Sequence, residues 1–284
     1  MNIVLLRRKK LGHTSCKGIS QFSKNDVRVI RNDKELLENP DVLVRWGCTS
    51  QYSAKKTLNK TEAIHLVNDK LATRKILLES GIETPNLVNN LLGSEPVKYP
   101  IIIRPIKHSQ GKNLFFCNNY LEAKEAVNKI NGEFYASEYI PKDREFGVFV
   151  FQNRVTSVIE KVPKTENANE SIAWNVAQGT HSFENVPWSE WDMQVATLAL
   201  KAMKVVNLDF GRVDIIVKED KSFVLEINSA HSLTSEYRQE VFAKCLDYFV
   251  EIGAPEKEIN FENVGTYKSI IHPALRVNKQ GINL

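Results

Sequence analysis

Arg212, Asp214, Glu226 and Asn228 are the residues whose types and spacing point most directly to chemistry. They fall in FGRVDIIVKEDKSFVLEINSAHSL, residues 210–233. Its two apolar runs are joined by Lys218-Glu219-Asp220-Lys221, a link short enough to pair them as antiparallel strands. Strand side chains alternate faces, so Arg212 and Asp214 share one face of the first run and Glu226 and Asn228 one face of the second. Val213 and Ile215, with Leu225 and Ile227 opposite them, then point into a core. Two carboxylates and an amide oxygen are hard ligands of the kind Mg²⁺ takes together with substrate phosphates. A guanidinium beside them can hold a phosphoryl group or a developing oxyanion. A solvated β-face with cross-strand ion pairs would show the same alternation. The asparagine at the strand end, followed by Ser-Ala-His-Ser, tips the reading toward a site.

Upstream, a β-branched run ends in Ile103-Arg104-Pro105 and is followed by Ile106-Lys107-His108-Ser109-Gln110-Gly111-Lys112. Arg104 and the amides of a loop containing Gly111 can lie over phosphates; an ordinary hairpin turn would look alike. Tyr135-Ala136-Ser137-Glu138-Tyr139-Ile140 runs toward Arg144-Glu145. A strand end of this kind offers backbone groups to an adenine edge, and a nearby carboxylate can take ribose hydroxyls, although Glu138 and Glu145 also fit plain surface acids. Lys70 sits at a helix start, where the macrodipole disfavours a cation unless a phosphate is near.

The elements that must position these residues follow from periodicity. Ile3–Leu6, Val27–Ile30 and Val42–Trp46 are short apolar runs separated by helix-compatible stretches, which predicts a small α/β unit with a parallel sheet. Gly47-Cys48-Thr49-Ser50 then lies at a strand's carboxyl end. Thr61 to Gly81 is helical in pattern, with Asn68-Asp69 able to cap a fresh helix from Lys70. A hairpin over Tyr99–Phe116, a helix over Tyr120–Ile130 and a strand over Glu133–Ile140 come next. Glu145–Phe151 and Val155–Val162 form another hairpin. Helices over Ser189–Val205 and Ser235–Ile252 flank the polar hairpin. The polar segment from Ala254 is left without an assigned fold.

The 284 residues are 42% hydrophobic and 25% charged with a net charge of +4, the balance of a globular protein. The mild positive charge suits an anionic ligand but does not argue for nucleic acid. No apolar run approaches the roughly 20 residues of a membrane helix, and the opening MNIVLLRRKKLG is too short for a signal peptide. Cys16, Cys48, Cys117 and Cys245 are scattered, as are the six histidines, which argues for reduced thiols in a cytoplasm and against zinc or a disulfide framework.

The order of these features resembles the ATP-grasp superfamily over Thr61 to Phe249, in particular its carboxylate–amine ligases such as D-alanine–D-alanine ligase, glutathione synthetase and the ribosomal-protein glutamate ligases. The motif that carries the resemblance is GRVDIIVKEDKSFVLEINSAHSLT. It implies an α/β (α+β) ATP-grasp fold that uses ATP and Mg²⁺ (or Mn²⁺). By that resemblance Asp214, Glu226 and Asn228 are metal ligands, and Arg212 is the catalytic arginine steadying an acyl-phosphate and its tetrahedral intermediate. Lys70 falls on the first nucleotide-phosphate lysine. Glu138, Tyr139 and Ile140 fall on the adenine linker, Glu145 on the ribose acid and Gly111 in the phosphate-covering loop. Lys161 and Asn175 are further phosphate contacts. Arg104 stands where the family usually has a second lysine. The implied organisation is an N-terminal α/β domain over 1–60, a small ATP-grasp subdomain over 61–140, a C-terminal subdomain with the metal site over 141–253 and an extension over 254–284. The implied partners are small-molecule or peptide carboxylate and amine substrates, with neither membrane nor nucleic acid; assembly as a homo-oligomer stays open. Acceptor choice would fall to Arg7, Arg8, Ser15, Arg45, Trp46, Thr49, Ser50, His231 and Ser232. Two rivals remain. One is a nucleotide-binding protein with phosphotransferase or lost ligase activity; the other is an interaction module using the basic cluster Arg7, Arg8, Lys9, Lys10 and Lys17.

Overall fold

The computed structural model describes residues 1–8, 12–31, 39–50, 52, 54–91, 93, 97–106, 114–165, 172, 174, 179–255, 259, 261 and 267–276. Gly111 and Asn175 lie outside the described residues.

The first sheet is parallel, as the apolar rhythm predicts. β1 (Ile3–Arg7) is buried along its whole length and lies between β2 (Val27–Ile30) and β3 (Val42–Trp46), with β4 (Lys56–Leu58) beyond β3. Full burial on both faces is what a continuous Ile-Val-Leu-Leu run requires. α1 (His13–Phe22) crosses from β1 to β2. The helical stretch after β4 is two helices, α2 (Thr61–Asn68) and α3 (Lys70–Glu79), broken at Asp69, whose side chain accepts from the Ala72 amide at 2.9 Å and caps the second.

The second sheet has three antiparallel strands in the order β6-β5-β7: β5 (Ile101–Pro105) is central, with β6 (Phe115–Cys117) and β7 (Phe134–Glu138) on either side. Its own small core of Ile101, Ile103, Cys117 and Ala136 is completed by Ala123 and Ala126 of α4 (Tyr120–Lys129). Asn119 caps that helix on the Glu122 amide.

The third sheet carries the polar hairpin. β8 (Arg144–Phe151), β9 (Arg154–Pro163), β10 (His181–Val186), β11 (Phe210–Lys218) and β12 (Lys221–Asn228) run in the order β10-β9-β8-β11-β12, all antiparallel. α5 (Met193–Val206) packs on β8, β11 and β12. It starts at Asp192, which accepts from the Gln194 and Val195 amides. α6 (Glu236–Glu251) packs on α1, and Asp247 within it accepts from Ser23 Oγ, the Lys24 amide and Asn25 Nδ2.

Within the unassigned C-terminal segment, α7 (Tyr267–Ile270) and a single 3₁₀ turn (Pro273–Leu275) dock on the third sheet. Ile271 bridges Val155, and Ile270, His272 and Leu275 are buried. The pairing in the polar hairpin differs from simple alternation at one point. Asp214 faces Glu226, but Ile215 faces Val224, so Leu225 is bulged out of register. Val224 and Ile227 are therefore the buried pair. Leu225, expected in the core beside Ile227, is only half-buried.

Candidate active site

Register alone assembles most of the site. One line across the third sheet reads Asn185, Ile159, Gly147, Asp214, Glu226, and the next reads Ser157, Phe149, Arg212, Asn228. Directly opposed residues in antiparallel strands share a face, so Arg212, Asp214, Glu226 and Asn228 lie on one face. Glu145 and Lys161 extend that face by strand alternation. Gly147 makes room for this. A Cβ there would meet Ile159 Cγ1 at 2.9 Å and Arg212 Cδ at 3.2 Å.

The four hairpin residues are in contact. Arg212 Nε lies 2.8 Å from Asp214 Oδ1, and its Nη2 donates to Oδ2 at 2.9 Å. Asn228 Nδ2 donates to the same Oδ2 at 3.1 Å, which leaves its own amide oxygen turned away from Asp214. Burial pushes the Asp214 carboxyl above its ordinary range, against the pull of Arg212 and Lys161. Glu226 is a third exposed and accepts an ion pair from Lys70 Nζ at 2.8 Å; the same ammonium donates to the Ile227 carbonyl at 3.2 Å.

Glu226 and Lys70 open onto a pocket between the two antiparallel sheets. Its other lining residues include Arg74 of α3, Arg104 of β5 and Tyr135 of β7, so two helix cations and one strand cation meet a single carboxylate there. Arg104 lies over the Tyr135 ring at 5.4 Å. Its Nε is buried without a hydrogen-bond partner. Arg74 escaped the sequence reading. It is 2% exposed, and burial, reinforced by the Arg104 charge, pushes its pKa down to about 10. It donates to Thr84 Oγ1 at 2.6 Å, to the Pro85 carbonyl at 3.3 Å and to the bulged Leu225 carbonyl at 3.0 Å.

A second cation group flanks Asp214. Glu145, expected at a ribose, is 3% exposed, and both its oxygens are held by ammonium groups, Lys142 at 2.5 Å and Lys161. Burial alone would raise its pKa; the two lysines outweigh burial and hold it below the ordinary carboxylate range. Lys142, also missed from sequence, lies over the Trp174 ring at 4.7 Å, and burial lowers its pKa. Lys161 donates to the Trp174 carbonyl at 3.1 Å. A lysine in a turn such as Pro141-Lys142-Asp143 carries no periodic signal, and that hides it.

Glu138, Tyr139 and Ile140 form the end of β7 and the passage to β8. Glu138 Oε1 accepts from the Asn86 amide at 2.9 Å and Nδ2 at 3.0 Å, and the Tyr139 amide donates to the Pro100 carbonyl. On the far side of Arg212, His231 packs 4.9 Å from Trp46 and 5.2 Å from Phe149. Burial, aided by the Arg212 charge, lowers its pKa to about 3, so it is a neutral ring. Among the described residues no three of His, Cys, Asp and Glu gather as a metal cluster. The hard donors available are the two carboxylates and the amide of the hairpin.

A family model described as the RimK-like ATP-grasp domain matches residues 59–242, well over half of the 284. The chain belongs to the RimK-like ATP-grasp family. A D-alanine–D-alanine ligase of Fusobacterium nucleatum is 28% identical over 58% of this chain and 57% of that protein. A probable alpha-L-glutamate ligase of Haemophilus influenzae is 25% identical over 75% of this chain and 76% of that one. The chain thus spans a little over half the length of the first relative and about three quarters of the second. Among solved structures, D-alanine–D-alanine ligase from Bacillus anthracis complexed with ATP has the same fold, with TM-score 0.60, 15% identity and coverage of 87% of this chain and 94% of that one. So does a RiPP-associated ATP-grasp ligase from Chryseobacterium gregarium in complex with ADP and a leader and core peptide, with TM-score 0.61, 17% identity and coverage of 87% and 96%. The ATP-grasp fold is therefore established for this chain.

Proposed function

We propose that this chain is an ATP-dependent ligase that joins a carboxylate to an amine through an acyl-phosphate. The observation that supports this most is the single sheet face bearing Arg212, Asp214, Glu226 and Asn228 beside a pocket lined by Lys70, Arg74 and Arg104. Carboxylates and an amide oxygen on one side of a cleft and guanidinium and ammonium groups on the other are what a metal-bound triphosphate needs. The donor set fits Mg²⁺ or Mn²⁺: all its ligands are hard, and the metal would supply charge neutralisation at the phosphates.

In this reading Lys70, Arg104 and Lys161 hold phosphate oxygens. Arg104 keeps the charge of the family's usual lysine but binds as a planar fork. Glu145, with both oxygens on lysines, seats Lys142 and Lys161 rather than a ribose. Glu138, Tyr139 and Ile140 present the strand end to the adenine. Gly111 and Asn175 belong to the segments that complete the phosphate contacts. A substrate carboxylate oxygen forms a bond to the γ-phosphorus as the bond to ADP breaks. The amine nitrogen then attacks the acyl carbon and expels phosphate. Arg212 stabilises the negative charge that builds on the acyl oxygen in that step.

The subdomain division proposed is 1–60, 61–140, 141–253 and 254–284, with the nucleotide between the second and third parts. Among the described residues no helix is long and apolar enough to cross a membrane, and the proposed substrates are small-molecule or peptide carboxylates and amines in the cytoplasm. The test is phosphate release with a panel of carboxylates and amines, with mass spectrometry of the acceptor. Release coupled to a mass gain equal to the amine less water supports ligation. Phosphate transfer without an amide product would refute it.

A further inference from the structure

A second, separate cavity lies in the first sheet, between α1 and the edge strand β2. It measures about 240 Å³ and is lined by Arg7, His13, Lys17, Ser20 and Arg31 over a floor of Val27 and Val29. His13, Lys17 and Ser20 are spaced i, i+4, i+7 and so share one face of α1. Val27 and Val29 alternate on one face of β2, opposite Ile3 and Leu5 of β1. Arg7 and Arg31 each follow the last register pair, Leu6 with Ile30, by one residue, so both arginines lie at the carboxyl ends of neighbouring parallel strands. Ligands of α/β sheets gather at that end.

Lys17 and Arg31 line this concavity as exposed cations. Lys17 lies in the N-terminal half of α1, toward the positive end of the helix dipole, and that helix has no acidic residue in its first turn. Among the described residues none that lines the cavity is acidic. Arg7 is buried and makes further contacts, so the exposed trio of His13, Lys17 and Arg31 carries the argument. Their convergence from a helix and a strand end on one concavity lowers the free energy of an anion placed among them.

We propose that this cavity is a binding site for a compact, multiply charged anion bearing carboxylate or phosphate oxygens. It takes the ligand independently of the ATP-grasp cleft and does not rest on the ligase reading.

The experiment is isothermal titration calorimetry on the full chain at constant ionic strength, with citrate, inorganic phosphate and a hexaglutamate peptide as separate probes and sodium chloride as the baseline. The three probes tell a free tricarboxylate, a free oxyanion and carboxylates on a peptide apart. At least one is expected to bind at one site per chain, and Lys17→Glu and Arg31→Glu are each expected to weaken it tenfold or more. Lys124→Glu, an exposed lysine on α4, is expected to change nothing. Circular dichroism confirms that each variant is folded. The proposal is overturned if no probe binds above the chloride baseline, or if Lys17→Glu and Arg31→Glu bind like the wild type, which would place the anion in the ATP-grasp cleft. Equal weakening by Lys124→Glu would also overturn it, since that reports a diffuse charge effect.

Discussion

Arg74 shows how one side chain can serve the site without being readable as part of it. Its two terminal nitrogens tie α3 to Thr84, Pro85 and the Leu225 bulge. Nothing in the segment Lys70-Leu71-Ala72-Thr73-Arg74 distinguishes this arginine from a solvated one. Removing it leaves buried carbonyls without donors, so Arg74→Met is expected to cost about 2–4 kcal/mol in a urea titration. His231 and His272 give the protein a pH dependence. Burial, with neighbouring arginines, lowers both to about 3 from 6.5. The folded chain refuses protons there that the unfolded chain accepts. Stability from these groups is therefore fully present above pH 6.5 and lost as pH falls toward 3, by about 1.4 kcal/mol per pH unit for each. His272→Gln is expected to flatten the slope of unfolding free energy between pH 6 and pH 4 by that amount. The difference from wild type isolates it from carboxylates titrating in the same window.

At the scale of elements, the hairpin works because two strands put four polar side chains on a face that a third strand leaves clear. Gly147 of β8 is the clearing. Gly147→Ala would press its methyl on Ile159 and the Arg212 stem; ATP turnover is expected to fall at least tenfold with the fold retained. Alternation made Arg212, Asp214, Glu226 and Asn228 legible in the sequence, because a period of two survives in any antiparallel pair. The Leu225 bulge was not legible, since no glycine or asparagine marks it, and it shifted the core from Leu225 to Val224. The strands β1, β2, β3, β8, β9 and β11 were legible as apolar runs. β10, with only Phe183 and Val186 apolar, was not: its length is specified by pairing with β9, a long-range contact. The break between α2 and α3 was visible because Asp69 is a capping residue. Glu145 shows the limit of a resemblance, which named the acid and Lys161 but neither their ion pair nor Lys142 on the other carboxylate oxygen.

For the whole molecule, the pocket exists only because α3, β5, β7 and β12 meet across two sheets. Asn59, buried just past β4, is a polar tie between the first sheet and the third. The Asn59 side chain accepts from the Asp209 and Phe210 amides at 2.9 and 3.1 Å and donates to the Phe210 carbonyl at 3.0 Å, and its backbone amide donates to Asp209 Oδ2. Its φ of 64° lies in the left-handed region that asparagine tolerates and alanine does not. Asn59→Ala is expected to destabilise the chain by about 3 kcal/mol or more, read as a lower urea midpoint. The most direct measurement on the proposed nucleotide site is calorimetric titration of ATP with and without Mg²⁺ for the wild type, Asp214→Asn and Glu226→Gln. The wild type is expected to bind ATP more tightly with Mg²⁺ present, and both folded variants are expected to lose that metal dependence. Equal metal dependence in all three proteins would contradict the assignment of the β11–β12 hairpin as the metal–triphosphate site.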